Sequence, residues 1–238
     1  METVILTRNG SALMPDPTTP PDFLMTPARG NAMGLTLLLG HGSGAAMDSG
    51  FMDAMANCIA GQGISVARFE FAYMAARRSG GPKRPPPRID GLLDEYRAAI
   101  RALPTQGGLL IGGKSMGGRV ASMILQDLYA DGTVLGGVCL GYPFHPSGEP
   151  DKLRTDHLKD LSAPLLICQG SRDPLGTRDE VTGYGLAPKV ALEWLEDGDH
   201  DLAPRERVTG LSQADHLAAA AAAIRAWAEG LAETRKAL

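Results

Sequence analysis

Aromatic residues supply only 5% of the 238-residue chain, which leaves core packing to Leu, Val, Ile, Met and Ala. Cysteine is scarce as well. Cys58, Cys139 and Cys168 are odd in number and show neither a Cys-x-x-Cys pair nor a metal-ligand rhythm, so no disulfide framework and no metal are expected. Cys139 and Cys168 lie inside apolar runs, where a thiol usually acts as a small buried hydrophobe. No run approaches the ~18 apolar residues needed to cross a bilayer. The alanine-rich stretch at 218–223 is too short and leads into Arg225. The opening residues Met1 to Leu6 lack a basic region before an apolar run, so no signal peptide is expected and a cytoplasmic location is. A net charge of -4 gives no general pull toward nucleic acid or an anionic membrane. These absences leave a protein acting on a small molecule, without a cofactor.

What is present is ordinary globular usage, 44% hydrophobic and 21% charged, in a length that fits one large domain or two small ones. Short Val/Ile/Leu-rich segments at 4–6, 35–39, 64–71, 109–111, 134–140, 165–168 and 190–195 read as strands. Several are continuously apolar, as expected when helices cover both faces of a sheet. Between them, Ile89, Leu92, Leu93, Tyr96, Ile100 and Leu103 recur at helical spacing, as do Val120, Met123, Ile124 and Leu128 before an Asp131-Gly132 stop. A last helix opens at Ser212 with Asp215 three residues on, a capping-box arrangement. Its buried stripe is Leu217, Ile224, Trp227 and Leu231. Strands alternating with helices, without a composition break, predict one α/β domain spanning 1–238: a mainly parallel sheet between two helical layers. Residues 14–30 are expected to form a hairpin or surface loop. Residues 72–88, rich in proline and glycine, are expected to be irregular.

Gly113-Lys114-Ser115-Met116-Gly117 fits G-x-S-x-G between a strand and a helix, the context a nucleophile elbow requires. In so tight a turn the residues two before and two after the serine press together, so side chains there would clash. Residues 108–115 also fit the phosphate-loop pattern G-x-x-x-x-G-K-[ST]. That reading places Leu109, Leu110 and Ile111 in a loop, whereas they read as a strand, and strand 134–140 does not end in a magnesium-holding aspartate. An activated serine needs a base, and the base an orienting acid. Asp173 follows the strand at 165–168 and His200 the strand at 190–195, in the order Ser, Asp, His, at the strand ends where a parallel sheet gathers its site. Asp179, Asp197 and Asp199 sit too late in their loops or too close to the histidine. Gly40-His41-Gly42-Ser43-Gly44, after the strand at 35–39, is expected to turn backbone amides inward, so the amides of Ser43 and Met116 are the predicted oxyanion hole.

These residues resemble the α/β-hydrolase superfamily over nearly the whole chain. More narrowly, they resemble the dienelactone-hydrolase-like group that includes testis-expressed-protein-thirty-like and NSL-complex-subunit-three-like hydrolases. The likeness is carried by 40–44, 68–74, 112–119, 140–146 and 169–173. It implies an eight-stranded sheet with little or no cap domain and assigns the triad to Ser115, Asp173 and His200; it names no substrate. The expected activity is hydrolysis of a small ester or thioester through an acyl-enzyme. Alternatives are a non-catalytic interaction module on the same fold and, more remotely, a phosphate-loop nucleotide-binding protein. His41, Tyr142 and His145 are candidates to contact substrate. Arg77 and Arg78, with Lys83, Arg84 and Arg88, are candidates to attract an anionic one.

Overall fold

The apolar runs become the strands of one twisted sheet in the computed structural model, which describes residues 21–105 and 107–236. In chain order the strands are β1 (Phe23–Thr26), β2 (Leu35–Gly40), β3 (Ser65–Phe69), β4 (Gly108–Lys114), β5 (Gly136–Leu140), β6 (Leu165–Gly170) and β7 (Val190–Leu195). They lie side by side as β1-β3-β2-β4-β5-β6-β7. β1 runs antiparallel to β3 and every other pair is parallel. Among the described residues the sheet therefore has seven strands where the resemblance implied eight; the expected strand at 4–6 lies outside the described residues.

Strand alternation divides the core in two. Leu37 and Leu39 of β2, Leu110 of β4 and Val138 of β5 face α1 (Gly50–Gly61) and α8 (Gln213–Lys236). Leu38, Ile111, Cys139 and Ile167 face α3 (Ile89–Ala102) and α4 (Met116–Ala130). Both faces being covered, the inner strands are apolar at most positions, which is why they read as nearly unbroken runs. Tyr96 of α3 is fully buried against the sheet: its hydroxyl accepts from the Gly112 amide at 2.9 Å and lies 2.8 and 2.7 Å from the carbonyls of Leu38 and Gly112. A Cβ on Gly40 of β2 would lie 3.1 Å from the Tyr96 ring. Cys139 and Cys168 are free and buried, and burial pushes both thiols up.

Two expectations need correction, and one helix was not anticipated. The segment 14–30 contains β1, because Phe23 and Leu24 bury their side chains while pairing with β3. The segment 72–88 opens with α2 (Ala72–Arg78): its prolines begin only at Pro82, so the preceding Ala-, Met- and Arg-rich residues are free to coil. The helix closes at Gly80 (φ 87°). α1, with Met52, Met55, Ala56 and Ile59 buried, carries an apolar stripe that went unread. The last-helix cap is as expected, with the Ser212 amide donating to Asp215 at 2.8 Å. The remaining helices are single turns: α5 (Asp156–Lys159), α6 (Arg178–Val181) and α7 (Glu206–Thr209). No helix among the described residues is long and apolar enough to cross a membrane.

Candidate active site

Chain order in the sheet reverses at β2: β3 lies to one side of it and β4 to the other. Loops leaving the ends of β2 and β4 therefore diverge and open a crevice, the usual ligand site of such sheets. Gly40 ends β2 and Lys114 ends β4, so the glycine-rich segment 40–44 and Ser115 meet at this crevice.

Ser115 is the residue between β4 and α4, with φ 50° and ψ -113°. A non-glycine residue so placed costs about 1–3 kcal/mol and persists only when its surroundings fix it. Here the Ser115 amide donates to the Leu140 carbonyl at 3.0 Å and its carbonyl accepts from Arg119 at 3.0 Å. The flanking glycines are required by contact. A Cβ on Gly113 would stand 2.6 Å from the Gly117 carbonyl carbon, and one on Gly117 would strike the Gly40 carbonyl oxygen. Residues 108–114 being strand, they offer no loop to cradle phosphates, which removes the nucleotide-binding reading.

The loops after β6 and β7 bring two partners to Ser115. His200 Nε2 is 2.9 Å from Ser115 Oγ, and His200 Nδ1 is 2.8 Å from Asp173 Oδ2. A carboxylate can only accept, so Nδ1 carries the ring proton and Nε2 is left to accept from the serine hydroxyl. Asp173 is fully buried and also accepts from Leu175 N at 2.8 Å and from Gln169 Nε2 at 2.9 Å. His200 keeps a quarter of its side chain exposed (26%), enough to meet a bound molecule. Gly141, with φ 64°, lets the histidine loop approach: a Cβ there would lie 2.5 Å from the His200 carbonyl oxygen. Two of the three rival acids are occupied elsewhere. Asp197 pairs with Arg205, and Asp199 accepts from the amides of Asp201 and Ala203.

A hydroxyl bonded to an imidazole whose other nitrogen is held by a carboxyl is the arrangement in which an alcohol becomes a nucleophile. Ser115 opens into a cleft of about 410 Å³ whose wall includes Ser43, Met116, Ile89, Arg119, Arg154 and Leu175. Among the described residues, no group of three or more His, Cys, Asp or Glu is placed to hold a metal ion.

Sequence reasoning missed two supports and misplaced five contacts. Gln169, fully buried, accepts from Tyr142 N at 2.7 Å and ties that segment to Asp173. Lys114 Nζ donates to the His200 carbonyl at 2.8 Å. His41 does not line the cleft: fully buried, it accepts from Phe71 N at 3.1 Å through Nε2 and donates to Gly42 O at 2.7 Å through Nδ1. It ties the glycine-rich segment to the end of β3. Burial holds its pKa below the ordinary histidine value. Tyr142 is fully buried behind the wall, donating to Arg154 O at 2.8 Å. His145 is likewise buried, with Nδ1 2.9 Å from Pro146 O. Arg78 is engaged by Glu70 and Asp48 at 2.7 and 2.8 Å, and Arg77 is exposed outside the cleft wall. Burial removed the first three from reach, and ion pairing the fourth.

A sequence-family model described as an alpha/beta hydrolase domain matches residues 34–229. The chain belongs to the alpha/beta hydrolase family. Among solved structures, this alpha/beta hydrolase is similar to a serine hydrolase without lid from Xanthomonas campestris, at 22% identity and a TM-score of 0.64 over 95% of each chain. It is also similar to a dienelactone hydrolase from Anabaena variabilis, at 18% identity and a TM-score of 0.63 over 95% of each chain. An alpha/beta serine hydrolase homologue from Coxiella burnetii is 16% identical, with a TM-score of 0.63 over 83% of this chain and 89% of its own. At these identities the likeness is one of fold. In this alpha/beta hydrolase only loops and the single-turn α5 separate β5 from β6.

Proposed function

We propose that this hydrolase cleaves a small carboxylic ester or thioester through an acyl-enzyme on Ser115, with His200 as general base and Asp173 orienting it. The observation that carries the reading is the hydrogen-bonded chain from Ser115 Oγ through His200 to buried Asp173. In the first step Ser115 Oγ attacks the carbonyl carbon and its proton passes to His200 Nε2. The resulting oxyanion is received by the amides of Ser43 and Met116. Both residues lie on the cleft wall beside Ser115, and among the described residues neither amide has a protein acceptor. Such donors are worth about 3–4 kcal/mol each in comparable sites. Collapse of the intermediate breaks the ester bond, and the leaving alcohol or thiol takes the proton from His200. Water then gives a proton to His200 as its oxygen attacks the acyl carbon. The bond to Ser115 breaks, the serine regains its proton, and the acid departs.

The test pairs labelling with turnover. A fluorophosphonate probe is expected to modify the wild-type protein at Ser115, and Ser115→Ala is expected to lose both labelling and hydrolysis of 4-nitrophenyl butyrate while keeping its circular-dichroism spectrum. Undiminished hydrolysis by Ser115→Ala overturns the assignment. A wild-type protein that neither labels nor turns over ester favours the interaction-module reading.

A further inference from the structure

Two arginines share the wall of the cleft with Ser115, and among the described residues neither guanidinium has an ion-pair or hydrogen-bond partner. Elsewhere in the chain Arg68, Arg78, Arg172, Arg178 and Arg205 each meet a carboxylate. Arg119 and Arg154 do not, although they are close enough to repel each other. Burial first, and the Arg119 charge second, hold Arg154 below the usual guanidinium range, yet an arginine remains protonated at neutral pH. Arg119 Nε is buried with nothing to bond. Glu149, the carboxylate whose charge is felt at Arg154, is bonded to Lys152 at 2.8 Å.

The backbones behind both side chains are fixed. Arg119 stands one turn into α4, its carbonyl accepting from Ser122 Oγ at 2.8 Å. Arg154 donates its amide to Phe144 O at 2.7 Å and accepts from the Tyr142 hydroxyl at 2.8 Å. Two like charges on one cleft wall, with no carboxylate in ion-pair contact among the described residues, are completed by a ligand that supplies one. Planar guanidinium forks match a carboxylate bidentately. Arg119 follows Ser115 by four residues and lines the same cleft, as does Arg154, so a molecule held by the two arginines also faces the serine.

We propose that Arg119 and Arg154 form a carboxylate-binding subsite, and that the substrate is an ester bearing a carboxylate a few atoms from its scissile carbonyl. This rests on the serine-hydrolase reading above. It also differs from the sequence expectation, which placed anion recognition on Arg77 and Arg78.

Two pairs of esters test it. Mono-(4-nitrophenyl) adipate against its neutral methyl ester probes the acyl side, and 4-carboxyphenyl butyrate against its methyl ester probes the leaving-group side. In at least one pair the anionic member is expected to have the higher kcat/KM by about 10- to 100-fold, mainly through KM. The ratio is expected to fall toward one in Arg119→Gln and in Arg154→Gln, and to shrink in added salt. Ratios near one in both pairs, or a preference that neither variant changes, overturn the subsite. Turnover of the neutral esters, and its loss in Ser115→Ala, report on the earlier reading whatever the ratio. Should no ester be turned over, calorimetric binding of adipate to the wild-type protein takes its place. Binding that Arg154→Gln abolishes upholds the subsite, and no binding, or binding that persists in Arg154→Gln, overturns it.

Discussion

Lys114 occupies the variable position just before Ser115, and its ammonium reaches the loop that carries His200. Its Nζ bonds the His200 carbonyl at 2.8 Å, pairs with Asp201 at 3.2 Å and lies 5.4 Å from the centre of the Phe51 ring. Burial is the largest influence on this ammonium and lowers its pKa, so the charge is kept there at a cost that its contacts offset. The lysine is thus a positioning residue for the histidine. Lys114→Met keeps most of the stem's packing and removes the tether. A charged hydrogen bond is worth about 1.5–3 kcal/mol, so kcat for 4-nitrophenyl butyrate is expected to fall roughly tenfold or more, with KM little changed. Steady-state kinetics decide it; an unaltered kcat would show that the loop holds His200 unaided. The meeting of Ser115, Asp173 and His200 was legible in the sequence because each follows a strand and they come in the chain order of the α/β-hydrolase fold. Lys114, Gln169 and Arg154 were not, because their roles arise only where separate loops meet. Arg119 was open to being read: it lies four residues beyond the serine, in the first turn of the helix that follows it.

The junction of β2 and α4 shows how element packing constrains the turn. Gly117, in the first turn of α4, lies against the backbone of Gly40 and His41, where an added Cβ would meet the Gly40 carbonyl oxygen and lie 2.7 Å from the His41 oxygen. Backbone cannot swing aside as a side-chain tip does, so Gly117→Ala must push α4 away from β2. The expected outcome is a loss of about 1–3 kcal/mol in stability, together with reduced turnover as Ser115 and the 40–44 segment move apart. Urea unfolding and ester kinetics measure the two effects; a variant as stable and active as wild type would mean the junction yields freely. Element identity followed the same logic of burial. The inner strands were readable because both faces are apolar, and α3 because Tyr96 and its neighbours repeat at helical spacing. β1 was hidden among prolines, with four residues too few to show a period, and α2 was obscured by the proline run that follows it.

At the scale of the whole molecule, two histidines that the proposed reaction does not use tie separate parts together in neutral form. His41 links the 40–44 segment to Phe71, and His157 on α5 reaches Ser122 of α4 at 2.9 Å. Burial lowers both pKa values, with the Arg119 charge also lowering His157, to about 4, and Asp156 opposing it. For His41 the Gly42 carbonyl and Glu70 oppose burial, and Arg78 adds to it. An unfolded histidine takes up its proton near pH 6.5, whereas these resist it until lower pH. Between pH 6.5 and about 4 the unfolded chain therefore binds more protons than the folded one, and stability falls as the pH falls. Carboxylates with lowered pKa values, among them Asp48 and Glu180, act in the same direction but mostly below pH 5. The urea midpoint is accordingly expected to drop between pH 7 and pH 5. The drop should be smaller in His157→Gln, which retains an amide donor for Ser122 and has no proton to gain. An equal drop in the variant would place the acid sensitivity elsewhere, with His41 the next residue to replace.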